Sequence, residues 1–138
     1  MHQPVKSCIA VAALLLSILP GCSSGDGFER IGVSGDVTHR GEPVVQGQIR
    51  FVPQPGTMAP LVVEAIRDGR YATTTTGGVP VGAFRVEIRA FDPNAPPQKS
   101  PLDPPPRQLL PDEFNTNSQL EAVFKSGDTD GVLDFNLE

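Results

Sequence analysis

The residue best suited to acid–base chemistry in this sequence is His39, which lies in the segment HRGEP. A histidine can act as a general base if a second group orients it and a nucleophile or water lies within its reach. A serine partner is possible in principle, but no G-x-S-x-G segment occurs. Gly41 and Pro43 instead favour a tight turn. We therefore predict that His39 lies exposed at a turn, that it is not catalytic, and that the chain is not an enzyme.

Motifs that hold metals or cofactors are not found in the sequence, which contains no HExxH, no CxxC and no glycine-rich phosphate loop. The acidic segment GDTDGVLD, with Asp128, Asp130 and Asp134, has a superficial likeness to a calcium loop. It lacks the glutamate at the twelfth position and the flanking helices. We expect an acidic turn that leads into the last strand, and no cofactor or metal.

Sugar-binding sites usually present flat aromatic rings, and the chain has one tyrosine and no tryptophan. A carbohydrate-binding module therefore remains an alternative function rather than the first choice. It would use Tyr71 together with the outward polar residues Gln46, Gln48 and Arg50.

The N-terminus has the pattern of a secretory signal, with Lys6 in a short polar start and an apolar run at residues 8–19. That run is shorter than the ~20 residues that a membrane-spanning helix needs. We assign residues 1–21 to a signal peptide and expect no permanent transmembrane helix.

The end of the signal, LPGC, resembles the lipobox of bacterial lipoproteins, although Pro20 departs from the usual residue there. The resemblance implies acylation of Cys22 and a membrane as partner through that lipid. Ser23 after the cysteine suggests the outer membrane, at its periplasmic face or at the cell surface. An ordinary signal cut near Gly21, with Cys22 as a free thiol, is the alternative. Residues 22–30 are predicted to be a flexible tether.

The rest of the chain, residues 31–138, is of a size that makes one domain. The 138-residue sequence has a formal net charge of −5, and removal of the signal with Lys6 makes it more acidic. Nucleic-acid binding depends on Lys and Arg that neutralise phosphates. An acidic domain without a basic stripe is therefore a poor candidate for binding nucleic acid, and we expect no nucleic acid as a partner.

Apolar and polar residues alternate with a period of two in about seven segments, which predicts strands rather than helices. Gly and Pro between these segments favour turns, and the pattern indicates an antiparallel β-sandwich with one polar face per sheet. The pair Asp68-Gly69 is a further predicted turn. The predicted core residues are Phe51, Phe84, Ile88, Phe124, Leu133 and Phe135.

Residues 92–111 contain eight prolines and cannot form a central strand, because proline donates no hydrogen bond to a neighbouring strand. This segment is predicted to be a loop across one end of the sandwich. Recognition by an aromatic groove of another protein is the less favoured alternative.

The segments VSGDVTHRGEPVVQGQIRFVP, IRDGRYATTT, VPVGAFRVEIRA and LLPDEFNTNSQLEAVFKSGDTDGVLDFNLE follow one another along the chain. In this order they resemble small lipoproteins of the planctomycete type that carry a carboxypeptidase regulatory-like, transthyretin-like domain. The resemblance implies a seven-stranded, prealbumin-like sandwich without established catalytic residues. The chain does not end in the Tyr-Arg-Gly-Ser type of tail found in transthyretin-like hydrolases.

These observations predict a non-enzymatic, lipid-anchored domain of the cell envelope that binds or spaces an envelope protein or glycan. A carbohydrate-binding module is the alternative, and a small hydrolase that uses His39 is a less favoured third.

Overall fold

The computed structural model describes residues 26–73 and 77–138, and within them the chain is all-β, as predicted. These two ranges contain no α-helix, and a short 3₁₀ turn lies at Asp112–Phe114. Eleven strands occur in them: β1 Arg30–Ile31, β2 Val33–His39, β3 Glu42–Pro43, β4 Gln46–Pro53, β5 Val62–Arg67, β6 Arg70–Ala72, β7 Val79–Pro80, β8 Gly82–Ala90, β9 Leu120–Phe124, β10 Gly131–Val132 and β11 Phe135–Leu137.

Nine strands form one curled sheet in the order β10-β2-β6-β5-β4-β8-β9, with β3 and β11 also paired to β2. Strands β1 and β7 form a separate antiparallel pair. Most neighbours are antiparallel, as predicted, but β10 and β11 run parallel to β2. The last predicted strand is therefore two short strands, interrupted at Leu133 and Asp134.

Two hairpins close through two-residue turns in which both central residues have positive φ. Arg40 and Gly41 have φ of 51° and 81°, and Asp68 and Gly69 have φ of 51° and 76°. This conformation matches the twist of the flanking strands, and glycine adopts it without steric cost. Both turns lie where the sequence predicts them.

The inward faces of the strands form a continuous apolar core. Phe51, Phe84 and Ile88 have no exposed surface, which confirms the predicted direction of β4 and β8. The rings of Phe51, Phe84 and Phe124 pack edge-on or tilted, with centroids 6.0–6.5 Å apart. Phe135 is buried as predicted, whereas Leu133 is only partly buried, because it lies where the last strand is interrupted.

The proline-rich segment is an irregular loop, as predicted. A single bridge between Phe91 and Gln108 closes it next to the end of β8. Within the loop, the carboxylate of Asp103 accepts hydrogen bonds from the backbone amides of Lys99 and Ser100 at 2.7 and 2.9 Å. Leu110, after the bridge, is buried against the core.

Candidate functional site on the outer face of the sheet

Four charged residues meet on the outward face of the two central strands, and we call this group the arginine face: Arg50 on β4 and Arg85, Glu87 and Arg89 on β8. The antiparallel register places Arg50 directly opposite Glu87. Arg85 and Arg89 lie two residues either side of Glu87, so their side chains leave the same face of the sheet. The three guanidinium groups therefore converge on one carboxylate.

The carboxylate of Glu87 is held by two short ion pairs. Its Oε2 lies 3.0 Å from Nη1 of Arg50, and its Oε1 lies 2.6 Å from Nη2 of Arg85. Nη2 of Arg89 is more distant, at 3.9 Å from Oε2. Glu87 is only 5% exposed although it belongs to the outward face. Burial of a carboxylate is tolerated here because charged donors compensate its lost hydration.

The arginine face has more donors than its acceptor can use. Three guanidinium charges face the single charge of Glu87. Nε of Arg85 and Nε of Arg89 are buried and have no hydrogen-bond partner in the described part of the chain. The neighbouring Glu121, opposite Arg85 on β9, accepts instead from Nε2 of Gln54 at 2.9 Å.

The arginine side chains still reach solvent, with 27% of Arg50, 42% of Arg85 and 33% of Arg89 exposed. Guanidinium groups with free donors bind oxyanions such as carboxylate, phosphate or sulfate, often with two parallel hydrogen bonds. The arrangement is suited to binding an anion. The sequence showed the alternation of Arg85, Glu87 and Arg89, but only the register with β4 adds Arg50 and reveals the cluster.

His39 is not the exposed residue that the sequence predicts. Its ring is half-buried and packs edge-on against Phe114, with centroids 5.9 Å apart. Its Nε2 is buried without a hydrogen-bond partner among the described residues. The prediction was wrong because β11 pairs with this end of β2, opposite His39 at Leu137, and the 3₁₀ turn brings Phe114 onto the ring.

Tyr71 is buried, at 4% exposure, so its ring has no free face on which a sugar could stack. Its hydroxyl donates to the backbone carbonyl of Leu133 at 2.7 Å. Burial raises the pKa of this hydroxyl above its ordinary range, and the nearby charge of Asp134 adds to the effect. Of the residues named for the carbohydrate alternative, Gln46, Gln48 and Arg50 retain exposed surface.

The acidic residues at the C-terminus bind backbone amides at three separate places. Asp128 accepts from the amide of Lys125 at 2.8 Å, and Asp130 from that of Gly32 at 3.0 Å. Asp134 accepts from the amide of Asp36 at 2.8 Å. Residues 26–73 and 77–138 contain no group of three or more acidic, His or Cys side chains arranged to hold a metal.

Cys22 and the signal at residues 1–21 lie outside the described residues, so acylation stays a prediction. At the far end of the predicted tether, Glu29 bonds to the turn after β9, through the hydroxyl of Ser126 at 2.6 Å and the amide of Gly127 at 2.8 Å. Within the described ranges, no helix is long and apolar enough to span a membrane.

Comparison with known proteins finds no family model, no curated protein and no solved structure that matches this chain. The structure defines an all-β domain whose outward sheet face carries surplus arginine donors.

Proposed function

We propose that this chain is a non-enzymatic, lipid-anchored domain of a bacterial cell envelope that binds or spaces other envelope components. One contrast carries the proposal. Most of the side chains that could do chemistry are held in structural hydrogen bonds, whereas the arginine side chains of the arginine face remain 27–42% exposed to solvent. Tyr71 and the three aspartates near the C-terminus are the clearest examples of the first kind. A binding surface is better supported by this arrangement than a reaction centre.

The fold within this proposal is a prealbumin-like β-sandwich, as the resemblance implies. Two observations support it. The strands on either side of the β5–β6 hairpin contribute to one apolar core, with Val37 from β2 and Phe84 from β8 both fully buried. Outward positions such as Arg50 and Arg85 are polar.

The anchor places the domain in the envelope. Acylation of Cys22 by two or more chains gives stable membrane attachment, because each buried CH₂ contributes ~0.8 kcal/mol. Ser23 after the cysteine suggests the outer membrane. Glu29, seven positions after Cys22, already bonds to the folded domain, so few residues separate the domain from the lipid surface.

The anchor is tested by replacing Cys22 with serine in the full chain, with Cys8→Ser as the matched control inside the signal. Wild type and Cys8→Ser are expected to partition into detergent and to label with a fatty-acid probe. Cys22→Ser is expected to be released or to stall unprocessed. A wild-type protein that fractionates as soluble, with a free Cys22 thiol by mass spectrometry, would overturn the proposal of a lipid anchor.

A carbohydrate-binding module remains the second candidate, favoured by a row of polar residues on β4 in which Gln46 is exposed and Gln48 and Arg50 are partly exposed. Glycan-array binding that weakens in Gln48→Ala would support it, and an array without signal would count against it. The third candidate, a hydrolase that uses His39, predicts turnover of ester or amide substrates that disappears in His39→Ala. Turnover that persists in this variant would exclude that role.

A further inference from the structure

We propose that the arginine face is a binding site for the anionic groups of an acidic polysaccharide. This inference rests on the proposed function of an envelope-binding domain and specifies its ligand class. The ligand is recognised by charge and hydrogen bonding, and not by stacking on aromatic rings.

The side chain of Arg89 is the least engaged of the three arginines of the arginine face. It donates no hydrogen bond in the described part of the chain, and its only ionic contact is the 3.9 Å approach to Glu87. Arg50 and Arg85 already bond to that carboxylate at 3.0 and 2.6 Å. Arg89 is therefore the residue whose charge and donors are most available to a second carboxylate.

Polar side chains of β4 lie beside Arg89 on the same face of the sheet. Gln48 lies directly opposite Arg89 in the register of β4 and β8, and Gln46 and Arg50 lie two positions either side of Gln48. Outward residues two apart along a strand are ~7 Å apart, so these side chains form a row. An amide offers both donors and acceptors, as sugar hydroxyls require, and the guanidinium groups supply the charge.

The residue types on this face favour a polysaccharide over other anionic partners. Energetically dominant contacts in protein interfaces centre on aromatic and arginine anchors in desolvated pockets, whereas this face is open and its outward positions on β4 and β8 include no aromatic residue. Single-stranded nucleic acid is disfavoured because its bases stack on aromatic side chains, which these outward positions lack. A polar chain with spaced carboxylates fits a row of amides and guanidinium groups.

The test uses the full-length protein, purified in a non-ionic detergent, and measures binding of three soluble polymers by calorimetry. Polygalacturonate supplies carboxylates on a sugar chain, dextran is a neutral sugar chain, and inorganic polyphosphate supplies charge without sugar. We expect binding of polygalacturonate that weakens as salt is added, and no binding of dextran. Binding of polyphosphate alone, equal binding of dextran, or no binding of any polymer would overturn the proposal.

Variants locate the site. Arg89→Gln is expected to weaken polygalacturonate binding about tenfold, because it removes one charge-assisted contact. Arg107→Gln makes the same charge change in the exposed proline-rich loop and should alter binding less than about twofold. Arg89→Lys, which keeps the charge without the planar fork, should fall between the two. Equal losses in Arg89→Gln and Arg107→Gln would show that net charge, and not the arginine face, is responsible.

Failure of this inference is separable from failure of the proposed function. If Cys22 is acylated but polygalacturonate does not bind, the anchored domain stands and the ligand class is wrong. If polygalacturonate binds with the expected dependence on Arg89 while Cys22 is unmodified, the ligand class stands and the anchor is wrong.

Discussion

Two polar regions of this molecule use their hydrogen-bonding groups in opposite ways. One is the arginine face. The other, which we call the Tyr71 cluster, consists of Gly35, Tyr71, Leu133 and Asp134 at the interruption of the last strand. In the Tyr71 cluster the polar groups that face one another are paired, whereas the arginine face retains unpaired donors.

The Tyr71 cluster fixes the C-terminal strands to β2. The amide of Leu133 donates to the carbonyl of Ser34 at 2.8 Å, and the carbonyl of Leu133 accepts from the Tyr71 hydroxyl at 2.7 Å. The interruption fits because residue 35 is a glycine. A Cβ atom there would lie 2.1 Å from the carbonyl oxygen of Leu133.

The difference between the two regions separates structural from binding roles. A buried polar group stabilises a fold when its partner is present, and an unpaired donor lowers stability. The unpaired, buried Nε donors of Arg85 and Arg89 are therefore kept at some cost, and an anion that neutralises the excess guanidinium charge offsets it. By this criterion Tyr71 is structural, whereas Arg89 is available for binding.

The largest effect is expected for Gly35→Ala. The added methyl group meets a backbone carbonyl that cannot rotate away, and overpacking of this kind costs about 3 kcal/mol. Gly131→Ala on β10 is the matched control, since the nearest heavy atom to its Cβ is 3.9 Å away. Urea unfolding of both variants measures the difference. Equal stabilities would mean that the interruption at Leu133 does not depend on Gly35.

A smaller effect is expected when the carboxylate of the arginine face is removed. Glu87→Gln leaves three guanidinium groups without their shared anion, and because these remain partly solvated we expect a loss of about 2 kcal/mol. Arg89→Gln should change stability by less than about 0.5 kcal/mol, since Arg89 donates no hydrogen bond to Glu87. Thermal unfolding compares the two. A larger loss in Arg89→Gln than in Glu87→Gln would contradict the idea that Arg89 is surplus.

Tyr71→Phe tests the paired region by removing one hydroxyl. Loss of the bond to the Leu133 carbonyl should cost about 1 kcal/mol at neutral pH. Because the folded pKa of Tyr71 is raised above its ordinary value of 10.0, its contribution is complete below that value and is lost as the pH rises above it. Unfolding measured as a function of pH should therefore show a smaller alkaline loss in Tyr71→Phe than in wild type. Identical alkaline slopes would contradict this account of the hydroxyl.

Much of the fold could be predicted from sequence because alternation reports which side of a strand faces the core. Phe51, Phe84 and Ile88 lie where this pattern places them, and the turn at Asp68-Gly69 was predicted from its residue types. The interruption of the last strand at Leu133 could not be predicted, because it depends on the absence of a side chain at residue 35, which belongs to a distant strand.

The candidate site was less predictable, since it depends on pairing between strands that are distant in sequence. The alternation in GAFRVEIRAF puts Arg85 and Arg89 on the outward side of their strand, but only the register of β4 with β8 brings Arg50 to the same carboxylate. The prediction that His39 is exposed was wrong for a similar reason. Its own hairpin predicts exposure, and the residues that cover it come from the other end of the chain.

The smallest expected effect on stability concerns Glu29, a residue that is exposed to solvent and nevertheless hydrogen-bonded. It is more exposed than the arginines of the arginine face, yet both its carboxylate oxygens accept hydrogen bonds, as polar groups do in the Tyr71 cluster. The Ser126 hydroxyl, with the amide of Gly127, lowers the pKa of this carboxyl below its ordinary value of 4.5. Its contribution is therefore present above that pH and is lost as the pH falls through the lowered pKa.

An NMR titration of the Gly127 amide should accordingly show a transition below pH 4.5 in wild type. Glu29→Gln should abolish this transition, and Glu42→Gln, at the exposed β2–β3 hairpin, should leave it unchanged. A Gly127 amide that titrates equally in all three proteins would mean that Glu29 does not hold the turn. The domain would then lack this bond between the turn after β9 and the segment that leads to Cys22. If the transition depends on Glu29, an exposed group whose acceptors are all hydrogen-bonded contributes to structure. The feature that distinguishes the arginine face is then its unpaired donors and not its exposure to solvent.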